Sequence, residues 1–263
     1  MTGKNMCNGQ SGYFNTPEYL EYLKMNFEVV ELSRDKRDET CKRPDIDLIL
    51  GYTDRLGIKP KESLLEIGCG LGRLLRFFGR HYNVEVSGVD VSKDAVLLAQ
   101  ERLPERASHI KCAFAENLPF SDCYFDHVLC WAVFDLTEQG RALTEMMRVL
   151  KPGGSLLLTG KNNLFMDDDE DALVAEIKSR EKGIPNHYTD YGLLKKTVEL
   201  NGGELIMEHF FLRRGDFMRG AHLTVRPEKF IEYCIVIKKR SHASVIALEI
   251  ATTHSLTWRQ LNA

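Results

Sequence analysis

The sequence predicts an α/β fold: a doubly wound, mostly parallel sheet of seven strands whose last strand runs antiparallel, with a helical N-terminal segment and a helical insertion after the fifth strand. Three observations carry this. Residues 63–67 are apolar apart from Glu66 and follow a Pro60-Lys61-Glu62 break, as expected of a central parallel strand covered on both faces. Leu71, Leu74, Leu75 and Phe78 then recur at helical spacing before a second apolar run at 84–89. Near the end of the chain, residues 205–212 and 230–237 read as two strands with no helix between them, which predicts an antiparallel pair at the sheet edge.

The first strand meets its helix through Glu66-Ile67-Gly68-Cys69-Gly70-Leu71-Gly72-Arg73. Glycine reaches positive φ and lets a ligand approach the backbone. The helix start adds unpaired N–H groups and the positive end of a dipole. A dinucleotide fingerprint needs G-x-G-x-x-G; here the spacing is G-x-G-x-G, which disfavours a nicotinamide dehydrogenase. The second strand ends at Asp90, and Ser92 is the better cap for the next helix, leaving Asp90 for another role. E-x-G-x-G-x-G followed by an acid closing the next strand resembles the class I S-adenosylmethionine (SAM) dependent methyltransferases.

That resemblance implies a SAM site at the carboxyl ends of the strands, with S-adenosylhomocysteine as product. Glu66, Gly68, Cys69, Gly70, Gly72 and Arg73 would form the cofactor turn, and Asp90, beside Val91, would accept the ribose hydroxyls. Phe114-Ala115-Glu116-Asn117-Leu118-Pro119-Phe120 is similar to the family's adenine loop. It departs from it in carrying Phe114 where an acid usually accepts from the adenine amine. Phe125-Asp126 opening an apolar run, and Leu150-Lys151-Pro152-Gly153-Gly154 before the fifth strand, extend the likeness. By the same resemblance Cys130 and Trp131 lie beside the methyl group, the N-terminal segment 1–43 folds over the cofactor as a lid, and 44–240 is the SAM-binding domain. Residues 241–263 form a tail whose apolar stretch, 245–250, packs back on the body or makes an oligomer contact.

Composition narrows the partners. The 263 residues suit one α/β domain with additions, and the formal charge of -3 offers no strong basic field for nucleic acid. The seven cysteines are scattered without a C-x-x-C pair, so a zinc site or a disulfide framework is not expected and the thiols read as reduced. No apolar stretch reaches the ~18 residues of a membrane span, and the N-terminus lacks a basic-then-apolar signal, which points to a cytoplasmic protein.

In chain order, Thr16-Pro17 caps and opens a helix with Tyr19, Leu20, Leu23 and Phe27 on one face, behind Tyr13 and Phe14. Residues 33–43 are a charged linker, and Pro44 opens a second helix that Gly57 stops. Residues 109–115, 125–131 and 155–159 are strands three to five, with an amphipathic helix at 137–150. The insertion, 161–187, starts with Asp167-Asp168-Asp169-Glu170-Asp171. Without the turn glycine of a calcium loop, this run reads as a dipole-matched helix start, so no metal is expected. Thr189 is expected to cap a helix that ends at Asn201-Gly202-Gly203.

Methyl transfer needs an acceptor held at near-attack distance, and a hydroxyl acceptor needs a base. Candidate bases are His187 first, then Asp135, His222 and Tyr188. Tyr13, Phe14, Phe134 and Tyr188 are expected to touch the acceptor; Arg213 and Arg214 suit a phosphate or carboxylate on it. These residues point to a small-molecule acceptor, methylated on oxygen or nitrogen. The alternatives are a protein or RNA methyltransferase of the same fold and a non-catalytic SAM-binding regulatory protein.

Overall fold

The computed structural model describes residues 12–32, 46–184, 186–240 and 252–254. The linker 33–43, Pro44, and the apolar stretch 245–250 lie outside them. A seven-stranded sheet organises the molecule. Its strands are β1 (Ser63–Ile67), β2 (Glu85–Asp90), β3 (Ile110–Cys112), β4 (Phe125–Cys130), β5 (Leu150–Lys161), β7 (Gly203–Phe211) and β8 (Glu232–Lys239), in the order β3-β2-β1-β4-β5-β8-β7. All neighbours run parallel except β8, which is antiparallel to both β5 and β7. Strand order reverses between β1 and β4, the point where such sheets open a crevice at their carboxyl ends.

The near-continuous apolar runs follow from coverage on both faces. Leu65, Val128 and Leu156 point to one side, where α5 (Gln139–Val149) supplies Leu143 and Met146 and α7 (Tyr191–Leu200) supplies Tyr191 and Leu194. Leu64, Leu129 and Leu157 point to the other. There α2 (Ile46–Thr53) supplies Ile49 and Tyr52, α3 (Arg73–Tyr82) Leu75 and Phe78, and α4 (Lys93–Arg102) Val96 and Ala99. Side chains such as Leu75 and Phe78 are wholly enclosed, each burial contributing ~1.5–3 kcal/mol.

Several caps form as the sequence implies. Thr16 Oγ1 accepts from Tyr19 N at 3.2 Å at the start of α1 (Pro17–Leu32), and Ser92 Oγ accepts from Ala95 N at 3.4 Å. Asp169 Oδ1 accepts from Ala172 N at 3.2 Å at the head of the insertion helix α6 (Glu170–Glu181). Two expectations need correction. Thr189 does not cap α7; Asp190 does, accepting from Leu193 N at 3.0 Å, because Thr189 is committed to a strand, β6 (His187–Thr189). That strand pairs antiparallel with β9 (Thr252–His254), which brings part of the tail back onto the insertion. Cys112 is disulfide-bonded, so the reduced state expected for the cysteines holds for Cys69, Cys123, Cys130 and Cys234 but not for it.

Candidate functional site

The glycine turn sits at the carboxyl end of β1. Gly68 N and Cys69 N both donate to Val89 O, at 2.8 and 3.0 Å, tying the turn to the end of β2. Gly68, Gly70 and Gly72 all take positive φ, 71°, 51° and 79°, which L side chains rarely adopt. This conformation delays the helix to Arg73, two residues beyond the start of the apolar pattern at Leu71. At Gly68 a Cβ would collide with Val133 from the loop after β4, and at Gly70 it would press on Leu23 of α1, 3.3 Å away.

Two buried acids face this turn. Asp90, 4% exposed, accepts from Gly70 N at 2.8 Å through Oδ2 and from Ser92 N at 2.9 Å through Oδ1. Burial raises its pKa, and these backbone N–H groups oppose the rise. Glu66, also 4% exposed, is pushed up to about 8, first by burial and then by Asp90, against the pull of the Arg73 guanidinium. Its Oε2 is sealed and has no hydrogen-bond partner. A buried polar atom without a partner is costly, and a ligand donor would satisfy it.

The leading segment closes over the same place. Leu20 and Leu23 of α1 pack on Leu71, Ala95 and Leu98. Tyr19 lies close enough to Asp90 that burial, and then that carboxylate, hold its phenol above its ordinary pKa. Tyr13 and Phe14 stack around Tyr19, ring centroids 5.7 and 5.1 Å away, rather than standing free as separate acceptor contacts. From the insertion, Lys182 Nζ reaches Glu18 Oε1 at 2.7 Å and Tyr13 OH at 3.3 Å.

On the other side of the turn, the chain leaves β4 through Trp131, half-buried, and Ala132, whose φ is 56° and whose N donates to Thr159 Oγ1 at 2.7 Å. Asp135 follows in a short 3-10 turn, and its Oδ2 pairs with Lys161 Nζ at 2.6 Å. Lys161, the last residue of β5, also donates to Asn186 Oδ1 at 2.8 Å, and Asn186 Nδ2 donates to Glu176 Oε2. Tyr188 OH donates to the same Glu176 oxygen at 3.4 Å. These groups join the loop after β4, the end of β5, the insertion helix and β6 into one polar network at the carboxyl edge.

The residues expected from the sequence divide accordingly. Glu66, Gly68, Cys69, Gly70, Gly72, Arg73, Asp90 and Val91 lie together around the turn. Ala115 is buried and Phe114 half-buried in the loop after β3, which is held to β2 by Ala113 N donating to Asp90 O at 3.0 Å. Glu116 Oε1 accepts from Glu138 N at 2.6 Å ahead of α5, which ties this loop to that helix. Cys130, expected beside the methyl group, and Phe134, expected to touch the acceptor, are 0% exposed, their side chains sealed in the core beneath the edge. Tyr188 is turned inward, stacked on Phe165 at 5.5 Å, so it holds the insertion and does not face an acceptor. His187 opens the short strand β6, its carbonyl accepting from Gln139 Nε2 at 3.0 Å, and that strand packs on the 3-10 turn of Asp135.

Arg213 does not reach inward: it grips both carboxylate oxygens of Asp168 at 2.9 Å on the surface. Arg214 uses its backbone N to bond Asp169 Oδ2 at 2.8 Å, while its guanidinium lies near Tyr188 and Glu232. His222 stacks on His209, ring centroids 3.8 Å apart, against β7 and away from the Asp135 network. Asp126 binds Ser63 N at 2.9 Å and Lys151 Nζ at 2.8 Å at the opposite, amino-terminal edge, a structural role.

Sequence reasoning missed Tyr19, Lys161, Glu176, Asn186 and Glu232. Tyr19 reads as one more apolar-face residue of α1. Lys161 carried a signal, a cation directly after the apolar run of β5. Glu176, Asn186 and Glu232 become site residues only once the insertion folds back and β8 pairs with β5.

Comparison with known proteins agrees with this geometry. Residues 65–158 match the family model described as a methyltransferase domain. Over 109 residues the chain is 37% identical to the ubiquinone/menaquinone biosynthesis C-methyltransferase UbiE of Bordetella avium, covering 40% of this chain and 43% of that protein. Over 121 residues it is 35% identical to a malonyl-[acyl-carrier protein] O-methyltransferase of Pseudescherichia vulneris, covering 45% of each. The chain thus spans less than half the length of these relatives. Among solved structures, a phosphoethanolamine N-methyltransferase of Haemonchus contortus, in complex with phosphomonomethylethanolamine and S-adenosylhomocysteine, superposes with a TM-score of 0.56 at 16% identity, covering 76% of this chain and 54% of that one. Residues 65–158 thus resemble a methyltransferase domain, carried on an α/β sheet shared with such solved structures.

Proposed function

We propose that this chain is a SAM-dependent methyltransferase that moves a methyl group to an oxygen or nitrogen of a small molecule, releasing S-adenosylhomocysteine. One observation carries the reading: two buried acids, Glu66 and Asp90, flank a three-glycine turn whose positive φ angles disfavour any side chain. The residues fit the cofactor. The sealed Glu66 Oε2 suits an ammonium donor, and Asp90, with one backbone bond to each oxygen, keeps acceptor capacity for vicinal hydroxyls. When bound, SAM supplies an electrophilic methyl carbon.

The other roles fall to side chains. Tyr19 and Leu23 close α1 over the turn and exclude water. Trp131 stands at the exit of β4 as a wall for the acceptor. Asp135, held by Lys161, and His187 are the groups to accept a proton from a hydroxyl acceptor. The described part of the leading segment, residues 12–32, serves as a lid on the SAM-binding core, and the protein acts in the cytoplasm on a small-molecule partner, not on nucleic acid. Among the described residues, no helix is long and apolar enough to cross a membrane.

A thermal-shift titration with S-adenosylhomocysteine on the wild type and on Asp90→Asn tests this. Ligand at a hundred times its dissociation constant stabilises by ~2.7 kcal/mol. The wild type should show this, and the variant should lose most of it while keeping its fold. Equal stabilisation of both proteins removes Asp90 from the site. No response in the wild type sinks the methyltransferase reading itself.

A further inference from the structure

α1 lies across the approach to the cofactor turn. Leu23 Cδ2 comes within 3.3 Å of where a Gly70 Cβ would stand, and Leu20 and Leu23 pack on Leu71, Ala95 and Leu98. Behind this cover Glu66 and Asp90 are each 4% exposed. A ligand that reaches both acids has to pass where Leu23 sits, so α1 moves aside for each entry and each exit.

The head of α1 is built as one unit. Tyr13 O accepts from Thr16 N at 3.0 Å and from Thr16 Oγ1 at 2.7 Å, and Thr16 in turn caps the helix. The rings of Tyr13, Phe14 and Tyr19 pack on one another, their centroids 5.8, 5.7 and 5.1 Å apart. Whatever holds Tyr13 and Glu18 therefore holds the first turns of the helix.

Lys182 holds them from the insertion. α6 ends on Gly183 at φ 70°, with Gly183 N donating to Arg180 O at 2.8 Å and Ile184 N to Ser179 O at 2.9 Å. A left-handed glycine closed by this pair of bonds fixes a helix end, and Lys182 immediately precedes it. Its ammonium donates to Glu18 Oε1 at 2.7 Å and to Tyr13 OH at 3.3 Å, and lies 5.0 Å from the centre of the Tyr13 ring. α6 itself is anchored: Asp169 caps its start, and the buried Glu176 accepts from Asn186 Nδ2 and Tyr188 OH. A fixed helix thus reaches the cover through one long side chain. Both charges of the ion pair are exposed, so the contact opens easily. It is placed to set a rate rather than to hold the fold.

We infer that Lys182 is a latch on cofactor exchange. It holds α1 closed over the glycine turn in the free and the loaded protein alike, and S-adenosylhomocysteine enters and leaves only while it is open. This rests on the methyltransferase reading and adds a control to the same site. Asn186 ties the same insertion to Lys161, which pairs with Asp135, so the cofactor cover and the edge proposed for the acceptor share one helix. Opening of such covers sets turnover in many enzymes.

The signature is kinetic. A side chain that only binds a ligand slows its release. A latch closed in both states slows entry and release by the same factor and leaves affinity unchanged. Full-length wild type and Lys182→Met are loaded with tritiated S-adenosylhomocysteine and chased with excess unlabelled ligand, and association is followed by rapid filtration. Lys182→Met should both release and bind about fivefold faster, the scale of one exposed ion pair with a ring contact, at unchanged affinity. Salt at about 1 M should speed the wild type towards the variant and leave the variant nearly unchanged, because it screens exposed charges. Glu18→Gln should behave as Lys182→Met does, and combining the two should add little. Equal rates in wild type and Lys182→Met overturn the inference, as do faster release without faster association and a salt response equal in the two proteins. If the wild type does not bind S-adenosylhomocysteine, the methyltransferase reading fails and the latch falls with it; binding with unchanged rates removes the latch alone.

Discussion

Glu66 and Asp90 stand on neighbouring strands beside the glycine turn, and both are enclosed. For Glu66 the energetic sign is clear. Its folded pKa, about 8, lies above its ordinary 4.5. The folded state therefore prefers the protonated carboxyl. That preference contributes fully below the ordinary value and is lost as pH rises through about 8. Between those limits the wild type should lose stability, relative to Glu66→Gln, on the order of a few kcal/mol. Thermal unfolding of both proteins from about pH 5 to about pH 9 checks this. Parallel curves would mean that Glu66 is already ionised and served by a donor in the free protein.

At the scale of elements, the insertion is held by its own first turn. Each acid of the run 167–169 has its own partners. Asp167 pairs with Lys229 at 2.6 Å, Asp168 pairs with Arg213, and Asp169 caps α6 and binds Arg214 N. Exposed pairs such as the first two contribute little. The cap contributes more, because its carboxylate serves two backbone donors. Asp169→Ala should destabilise the protein by about 1–2 kcal/mol in denaturant unfolding. An effect below ~0.3 kcal/mol would show that water replaces the cap without cost.

Across the whole molecule, Lys182 ties two covers together. The leading helix α1 lies on the glycine turn, and α6 lies on the Asp135–Lys161 network. Lys182, just past α6, joins them through Glu18 and Tyr13, its ammonium 5.0 Å from the Tyr13 ring centre. Both partners of the ion pair are exposed, 44% and 65%, so little global stability depends on it. Lys182→Ala should leave the unfolding midpoint nearly unchanged but lower hydrogen-exchange protection across residues 17–25. Unchanged protection there would mean that Leu20 and Leu23 alone hold α1 in place.

The sequence by itself determined the sheet, the glycine turn and the acid that ends β2, because these are local. A strand–turn–helix writes its apolar period and its glycines within a short stretch, and Asp90 is simply the next strand end. The family resemblance rests first on that same stretch, and the matching methyltransferase-domain segment begins within β1. Caps at Thr16 and Ser92, and a helix start at the acidic run 167–171, were legible for the same reason. Thr189 was misread because its nearest signal, a hydroxyl before a helix, competes with pairing to β9, a distant part of the chain. Tertiary structure alone decided which acids are spent and which remain available. Glu116 Oε1 accepts from Glu138 N ahead of α5, a contact between distant parts of the chain, and Glu232 read as an interior strand residue but opens β8. Only the antiparallel register of β8 against β5 puts Glu232 beside Lys161, at the edge where the glycine turn opens. Hydrogen-bond satisfaction is a property of the assembled neighbourhood, so no window of sequence can reveal that folding leaves Glu66 Oε2 without a partner.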